Sequence, residues 1–118
     1  LKILEDIVHP KVLSQIKSRI KKIKRNCVII IDVPLLIEKN WQKHFNYVLV
    51  AACSKKTQVV RLMKRDKISK SEALKRILLQ RPISYKIKKA DFIINTEKGK
   101  TNTKSQVLSI LKHLRGVL

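Results

Sequence analysis

Cysteine, aromatic residues and long apolar runs are scarce in this sequence, and each scarcity bears on what the protein can be. The 118 residues include two cysteines, Cys27 and Cys53, with no further Cys or His at ligand spacing. We therefore expect buried thiols in a reducing compartment, and neither a disulfide framework nor a zinc site. Aromatic residues make up 4%, few for the stacking surfaces of single-strand nucleic-acid binders. No apolar run reaches the roughly 18 residues of a membrane span and no signal-peptide pattern is visible, so a cytoplasmic protein is expected.

Acidic residues are also few. Eight Asp and Glu stand against 28 Lys and Arg, which gives a formal net charge of +20. A field of this sign attracts polyanions of any kind, including nucleic acids, anionic membranes and phosphorylated small molecules. A lysine-rich host is an equally good explanation of the excess. Hydrophobic residues amount to 44%, so the chain is not a disordered basic tail, and its length predicts one domain.

Glycine occurs twice, as Gly99 and Gly116, and this decides the interpretation of one motif. Residues 97–101, EKGKT, end like the phosphate-binding loop of a nucleotide kinase and lie between a predicted strand and a predicted helix. That loop needs another glycine where this sequence has Ile94, and a β-branched side chain resists the positive φ that glycine supplies. Glu97 would also place a negative charge against the phosphates. We therefore interpret EKGKT as a chance match.

Apolar runs alternate with amphipathic segments, which predicts an α/β fold. Three runs rich in β-branched residues predict strands of a parallel sheet, at 27–32, 46–51 and 92–94. Helical spacing predicts an N-terminal helix interrupted at Pro10 and further helices at 57–65, from the Ser69 cap through Leu79, and at 102–115. This alternation indicates right-handed crossovers. Ligands of such sheets bind beyond the carboxyl ends of the strands, where Asp32 could orient a nucleophile or equally cap a turn.

Four short stretches then fit together. They are LEDIVHP (4–10), DVPLLIE (32–38), RLMKRDKISKSEALKRILLQRP (61–82) and ADFIIN (90–95). In this order and spacing they resemble the dephospho-CoA kinases, over essentially the whole chain but only the C-terminal half to two-thirds of that family. The resemblance implies a P-loop nucleoside/nucleotide kinase fold, with a three-layer parallel sheet truncated at the N-terminus. Residues 1–118 would form a single, partial kinase domain, with a helical lid at about 61–89.

The resemblance also implies an activity. Dephospho-CoA kinases transfer the γ-phosphoryl group of ATP to the ribose 3′-hydroxyl of dephospho-CoA, the last step of coenzyme A biosynthesis. ATP and Mg²⁺ are the implied cofactors. The phosphate-binding loop of the family would lie upstream of these residues, so we expect this chain alone to be inactive.

Three lid arginines are the implied phosphate contacts. Arg61 and Arg65 lie four residues apart on one predicted helix face, and Arg76 matches the family pattern Glu-Ala-x-x-Arg-Ile. A guanidinium suits phosphoryl transfer because its planar fork donates bidentately to phosphate oxygens. We expect Arg65 and Arg76 to bind phosphate, with Arg61 third. The alternative is an exposed basic face paired with Asp66 and Glu72.

The remaining implied contacts lie near other strand ends. For the acceptor substrate they are His9, Asp32, Pro34, Leu35 and Leu36, and for His9 a structural role is an equal alternative. For the adenine of ATP they are Asn95 and Thr96. Thr96 stands where the family usually has Asn, and Gly99 comes one residue late, which weakens the adenine contact and predicts a turn glycine. Residues 80–82 match the family's Gln-x-Pro, with a positional role.

Two other functions stay open on the sequence. The charge suggests a basic nucleic-acid-binding module, although no zinc-finger or RNA-recognition signature is visible. Another P-loop nucleotide kinase is the second, although the His-Pro and Pro-Leu-Leu stretches speak against it. We expect dephospho-CoA as the small-molecule partner, with no membrane and no nucleic acid. The sequence does not indicate the oligomeric state.

Overall fold

The computed structural model describes the backbone of residues 2–117 and the side chains of residues 8–117, so the side chains of residues 4–7 in the stretch LEDIVHP lie outside the described part. This part of the chain contains helices and two short strands. In chain order they are α1 (Lys2–Lys21), a short 3₁₀ helix (Gln42–His44), β1 (Leu49–Ala52), α2 (Lys55–Asp66), α3 (Lys70–Leu78), α4 (Ile83–Lys89), β2 (Phe92–Asn95) and α5 (Gly99–Gly116).

The two strands pair in parallel and carry the centre of the fold. Leu49 lies opposite Phe92 and Ala52 opposite Asn95, and the connection between the strands runs through α2, α3 and α4. Val50, Ala52 and Ile94 are buried, and Val50 packs in a cluster with Ile37 and Val48. The predicted α/β fold with a parallel sheet is confirmed, as are two of the predicted strands. The carboxyl ends of both strands point to one edge, where their following loops meet.

The predicted strand over 27–32 is wrong. Residues 26–33 have no regular secondary structure, and Ile30 is 81% exposed. A β-branched run becomes a strand only when its backbone finds a partner. Within the described residues, none of the backbone hydrogen bonds outside regular elements joins 27–32 to either strand. Cys27 lies in this segment and is exposed, and Cys53 is half-buried, so the prediction of buried thiols is also wrong.

Both α2 and α3 begin at a serine cap. The Ser54 hydroxyl accepts a hydrogen bond from the Thr57 backbone at 3.2 Å, and the Ser69 hydroxyl accepts one from the Glu72 backbone at 3.2 Å. Such caps satisfy amide groups that have no partner inside the helix. Between the two helices, Lys67 adopts a left-handed φ of 52° and donates its backbone N–H to the Met63 carbonyl. This tight turn folds α3 back against α2, and the prediction of a helix opening at Ser69 is confirmed.

Two other helices differ from expectation. α1 runs from Lys2 to Lys21 without a break at Pro10, so the predicted interruption is wrong. An interior proline costs about 3 kcal/mol through a lost hydrogen bond and a steric clash, yet the helix continues through Pro10. α4 starts directly after Pro82 and was not predicted, because its seven residues are too few for a clear period.

Among the described residues, no helix is both long enough and apolar enough to cross a bilayer.

Candidate functional site

A cleft of about 670 Å³ opens along α2, α3 and the start of α4, and we call it the basic cleft. Six cationic side chains and one carboxylate line it: Lys55, Arg61, Arg65, Arg76, Arg81, Lys86 and Asp66. A cavity of this size accommodates a ligand of nucleotide dimensions. Clustered charge of one sign in a concave site concentrates anions there. The cleft is therefore suited to a phosphorylated small molecule.

Arg65 and Arg76 meet at Asp66, which ends α2. Arg65 Nε lies 2.8 Å from Asp66 Oδ1, and Arg76 Nη1 lies 2.8 Å from Asp66 Oδ2. Arg76 Nε is also 3.9 Å from Glu72 Oε1. The hydrogen bond from Arg65 is the main cause that holds the pKa of Asp66 below its usual range, and the same contact raises the pKa of Arg65. Exposed pairs of this kind add little stability, so their main effect is to hold two guanidinium groups side by side.

Arg61 points to a different part of the cleft. Its Nη1 donates to the Thr96 hydroxyl at 2.6 Å, and its Nη2 donates to the Thr96 carbonyl at 2.7 Å. Arg61 therefore joins α2 to the loop that follows β2. The three arginines predicted from the sequence all line the cleft, but two share Asp66 and the third is bonded to a loop.

The two residues predicted to contact adenine, Asn95 and Thr96, already make hydrogen bonds within the chain. The Asn95 backbone bonds to the Gln106 side chain on α5, at 2.9 Å through its N–H and 2.7 Å through its carbonyl. The Asn95 side chain accepts from the Glu97 backbone at 2.9 Å. The Thr96 N–H donates to the Ala52 carbonyl at 2.9 Å. This loop is thereby bonded to the sheet, to α5 and to α2.

The EKGKT segment has no cradle geometry. Gly99 has a φ of +84° and begins α5, as expected for a turn glycine. The Glu97 carboxylate faces the start of α2, where it accepts from the Ser54 backbone N–H and from the Thr57 hydroxyl, the latter at 2.8 Å. These two donors, the backbone N–H first, hold the pKa of Glu97 below its usual range. The carboxylate therefore takes donors that a phosphate would need.

Arg81 and Lys55 also line the cleft, although neither was predicted as a site residue from the sequence. Within the described residues, neither has a carboxylate within 4.0 Å, whereas Arg65, Arg76 and Lys86 do. The Arg81 guanidinium lies over the Tyr85 ring at 5.1 Å, and Lys89 approaches the same ring at 5.7 Å. Such cation–π contacts hold a charge in place without neutralising it. Tyr85 and Lys89 lie one turn apart on α4, but Arg81 precedes the Pro82 cap, so helical spacing gave no signal for its contact.

The residues predicted for the acceptor substrate lie outside the basic cleft, since none of them lines it. His9 meets the Trp41 ring edge-on at 5.5 Å. Leu36 packs against the buried cluster, while Pro34 and Asp32 are exposed. Leu35 has a left-handed φ of 58°, which is uncommon for leucine and marks a tight turn. The structure thus brings the three arginines together and keeps the acceptor-side group separate.

One contact links these two regions. Glu38, in the turn at 34–40, places Oε1 3.1 Å from Lys86 Nζ on α4. Both side chains are mostly buried, at 16% and 20% exposed. Lys86 also donates to Gln80 Oε1 at 2.8 Å. Glu38 lies in the stretch DVPLLIE, but the partner 48 residues away could not be identified from the sequence.

Comparisons with known proteins point in one direction. The sequence profile of dephospho-CoA kinases matches residues 1–102. A dephospho-CoA kinase of Carboxydothermus hydrogenoformans is 35% identical over 114 residues, which cover 95% of this chain and 55% of that protein. The chain thus spans about half the length of the curated relatives it matches.

Two solved structures are also similar. The crystal structure of TT1252 from Thermus thermophilus has a TM-score of 0.82 at 27% identity, over 96% of this chain and 58% of that one. A dephospho-CoA kinase from Campylobacter jejuni has a TM-score of 0.70 at 29% identity, over 99% and 59% respectively.

Proposed function

Because this chain belongs to the dephospho-CoA kinase family, we propose that the whole protein transfers the γ-phosphoryl group of ATP to the ribose 3′-hydroxyl of dephospho-CoA. The proposal rests on the basic cleft, which is lined by six cationic side chains and one carboxylate. During phosphoryl transfer, negative charge spreads over the oxygens of the moving group. Catalysis then depends on cations that are already in place. The cleft brings six such cations together.

Arg65 and Arg76 are the proposed phosphate ligands. Asp66 engages two N–H groups of Arg65 and one of Arg76. A guanidinium carries more donors than these contacts use, so both arginines can bind a phosphate while Asp66 keeps them adjacent. Arg61 is the third proposed ligand, from the side of the loop after β2. We add Arg81, because it lines the same cleft with no carboxylate partner among the described residues.

The substrate-facing residues are proposed on the family resemblance. His9, Asp32, Pro34, Leu35 and Leu36 would lie on the dephospho-CoA side. Asn95 and Thr96 would lie beside the adenine of ATP, at the carboxyl end of β2, where open parallel sheets bind ligands. Since the Thr96 hydroxyl and carbonyl already accept from Arg61, we expect its contribution to come through its methyl group.

Mg²⁺ would accompany ATP. Among the residues that the structure describes, no three Asp, Glu, His or Cys side chains come together to hold a metal ion. Asp66 and Glu97 are engaged by arginine and hydroxyl donors. This part of the chain does not offer a set of protein ligands for the ion. We place the protein in the cytoplasm, where the free thiols Cys27 and Cys53 would stay reduced.

Steady-state kinetics with cleft variants test the proposal. The chain is expressed within the complete reading frame that encodes it, and CoA formation from ATP and dephospho-CoA is followed. We expect R65Q and R76Q each to lower kcat/KM by about tenfold or more, because each removes a charged hydrogen bond to phosphate. K112Q, an exposed lysine on α5 outside the cleft, is the control and should change little.

Two results would count against this account. Equal rates for R65Q, R76Q and K112Q would show that the cleft does not serve phosphoryl transfer. CoA formed by residues 1–118 alone would contradict the interpretation of EKGKT as a chance match.

A further inference from the structure

We propose that Glu97 is a positioning residue, which holds Arg61 in the basic cleft by fastening the loop after β2 to the first turn of α2. The inference rests on the proposed function in one respect: it takes the cleft as the phosphate site. The contacts that carry it lie wholly within the described chain.

The carboxylate of Glu97 acts as a cap for α2 from a distant part of the sequence. It accepts from the Ser54 backbone N–H and from the Thr57 hydroxyl at 2.8 Å. The Ser54 hydroxyl donates to the same Thr57 oxygen at 2.9 Å. The first turn of α2 contains no acidic residue of its own. The N-terminal end of a helix favours a negative charge, so Glu97 supplies what the helix sequence lacks.

Arg61 makes the second attachment to the same loop. It follows Thr57 by one helical turn and therefore lies on the same face of α2. It donates to the Thr96 hydroxyl and carbonyl at 2.6 and 2.7 Å. Adjacent loop residues, Thr96 and Glu97, are thus bonded to adjacent turns of one helix. The contacts of Glu97 and of Thr96 together fix the rotation of α2 relative to the loop. A single contact would leave the helix free to rotate about it.

The loop itself is well anchored, so it can serve as a reference point. Thr96 donates its N–H to the Ala52 carbonyl at 2.9 Å, which joins the loop to the end of β1. Gln106 on α5 bonds to both backbone groups of Asn95. Because the loop is held by the sheet and by α5, the contact of its Glu97 with Ser54 and Thr57 restrains α2 and, through that helix, the guanidinium of Arg61.

This role differs from general stabilisation. If Glu97 acts through Arg61, its removal matters for ATP only while Arg61 is present. If Glu97 merely stabilises the fold, its removal has the same effect whether or not Arg61 is present. A double-mutant cycle separates these cases.

The test uses the complete protein with E97Q, E97A, R61A and the double variant R61A/E97A. K98Q is the control, an exposed neighbour that also changes the charge by one. The first measurement is amide hydrogen exchange at residues 54–61. We expect E97A to raise exchange at the Ser54 amide by about tenfold or more, since a charged hydrogen bond is lost, and E97Q to raise it less. K98Q should leave it unchanged.

The second measurement is the KM for ATP. We expect E97A to raise it severalfold in the wild-type background and to add nothing in the R61A background. Equal effects of E97A in both backgrounds, or unchanged exchange at Ser54, would overturn the proposal. If the unmodified protein formed no CoA, the proposed function would fail, while the exchange measurement would still decide whether Glu97 holds α2. E97Q keeps the shape of the side chain, so it remains informative if E97A does not fold.

Discussion

Replacing Gly99 by alanine is expected to lower the free energy of unfolding by about 1–2 kcal/mol, the usual cost of a left-handed backbone for a residue with a Cβ. Gly99 has a φ of +84°, and a Cβ added there meets no atom within 4 Å. The cost therefore comes from the backbone conformation and not from a clash. Asparagine tolerates positive φ better, so G99N should fall between glycine and alanine in stability.

Gly116 provides the matched control. It is the last residue of α5, and an added Cβ there also meets nothing within 4 Å. Its φ is not in the left-handed range, so alanine should be neutral or stabilise by up to about 1 kcal/mol. Urea unfolding of the complete protein measures both changes.

The same variant tests the interpretation of EKGKT. If Gly99 is a turn glycine, G99A should lower stability and leave the KM for ATP nearly unchanged at a temperature where the protein stays folded. A G99A protein as stable as the unmodified one would refute the backbone argument. Loss of ATP binding with unchanged stability would show that the segment does contact phosphate.

Further predictions concern α3 and the basic cleft. S69A should lower the free energy of unfolding by about 1 kcal/mol in urea, because the cap of α3 is lost, and S71A on the exposed face of the same helix should not. The pKa of Asp66 is lowered, so its ion pairs stabilise the fold fully at pH values above the usual aspartate pKa, and this stability is lost as the pH falls through the lowered pKa. When unfolding is measured between neutral and acidic pH, D66N should therefore lose less stability than the unmodified protein. R81A should raise the KM for ATP or dephospho-CoA by about tenfold, whereas Y85F, which keeps the ring under Arg81, should match the unmodified enzyme; equal KM values for all three proteins would exclude Arg81 from the site.

Local signals in the sequence were enough for much of the fold. The cap at Ser69 lies next to its helix and depends on nearby residues only. The strand at 92–95 is short, apolar and followed by polar residues, so its pattern was clear. The run at 27–32 is also short, apolar and rich in β-branched residues, but it forms no strand, since pairing depends on a neighbour that composition does not reveal.

The candidate site was predictable only where it depends on residues that are close together in the sequence. Arg61 and Arg65 share a helix, so their proximity follows from helical spacing. The contacts of Glu97 with Ser54 and Thr57 span 43 and 40 residues, and only the fold brings them together. From the sequence, Glu97 was a reason to reject a phosphate loop. In the structure, it has a role of its own at the start of α2.

The central claim is tested most directly by determining which acceptor receives the phosphoryl group. The complete protein is incubated with ATP and Mg²⁺ together with either dephospho-CoA or nucleoside monophosphates, and the products are identified by mass spectrometry. Our account predicts CoA from dephospho-CoA and no transfer to the nucleoside monophosphates. Transfer to the nucleoside monophosphates alone, or no transfer to any acceptor, would contradict it.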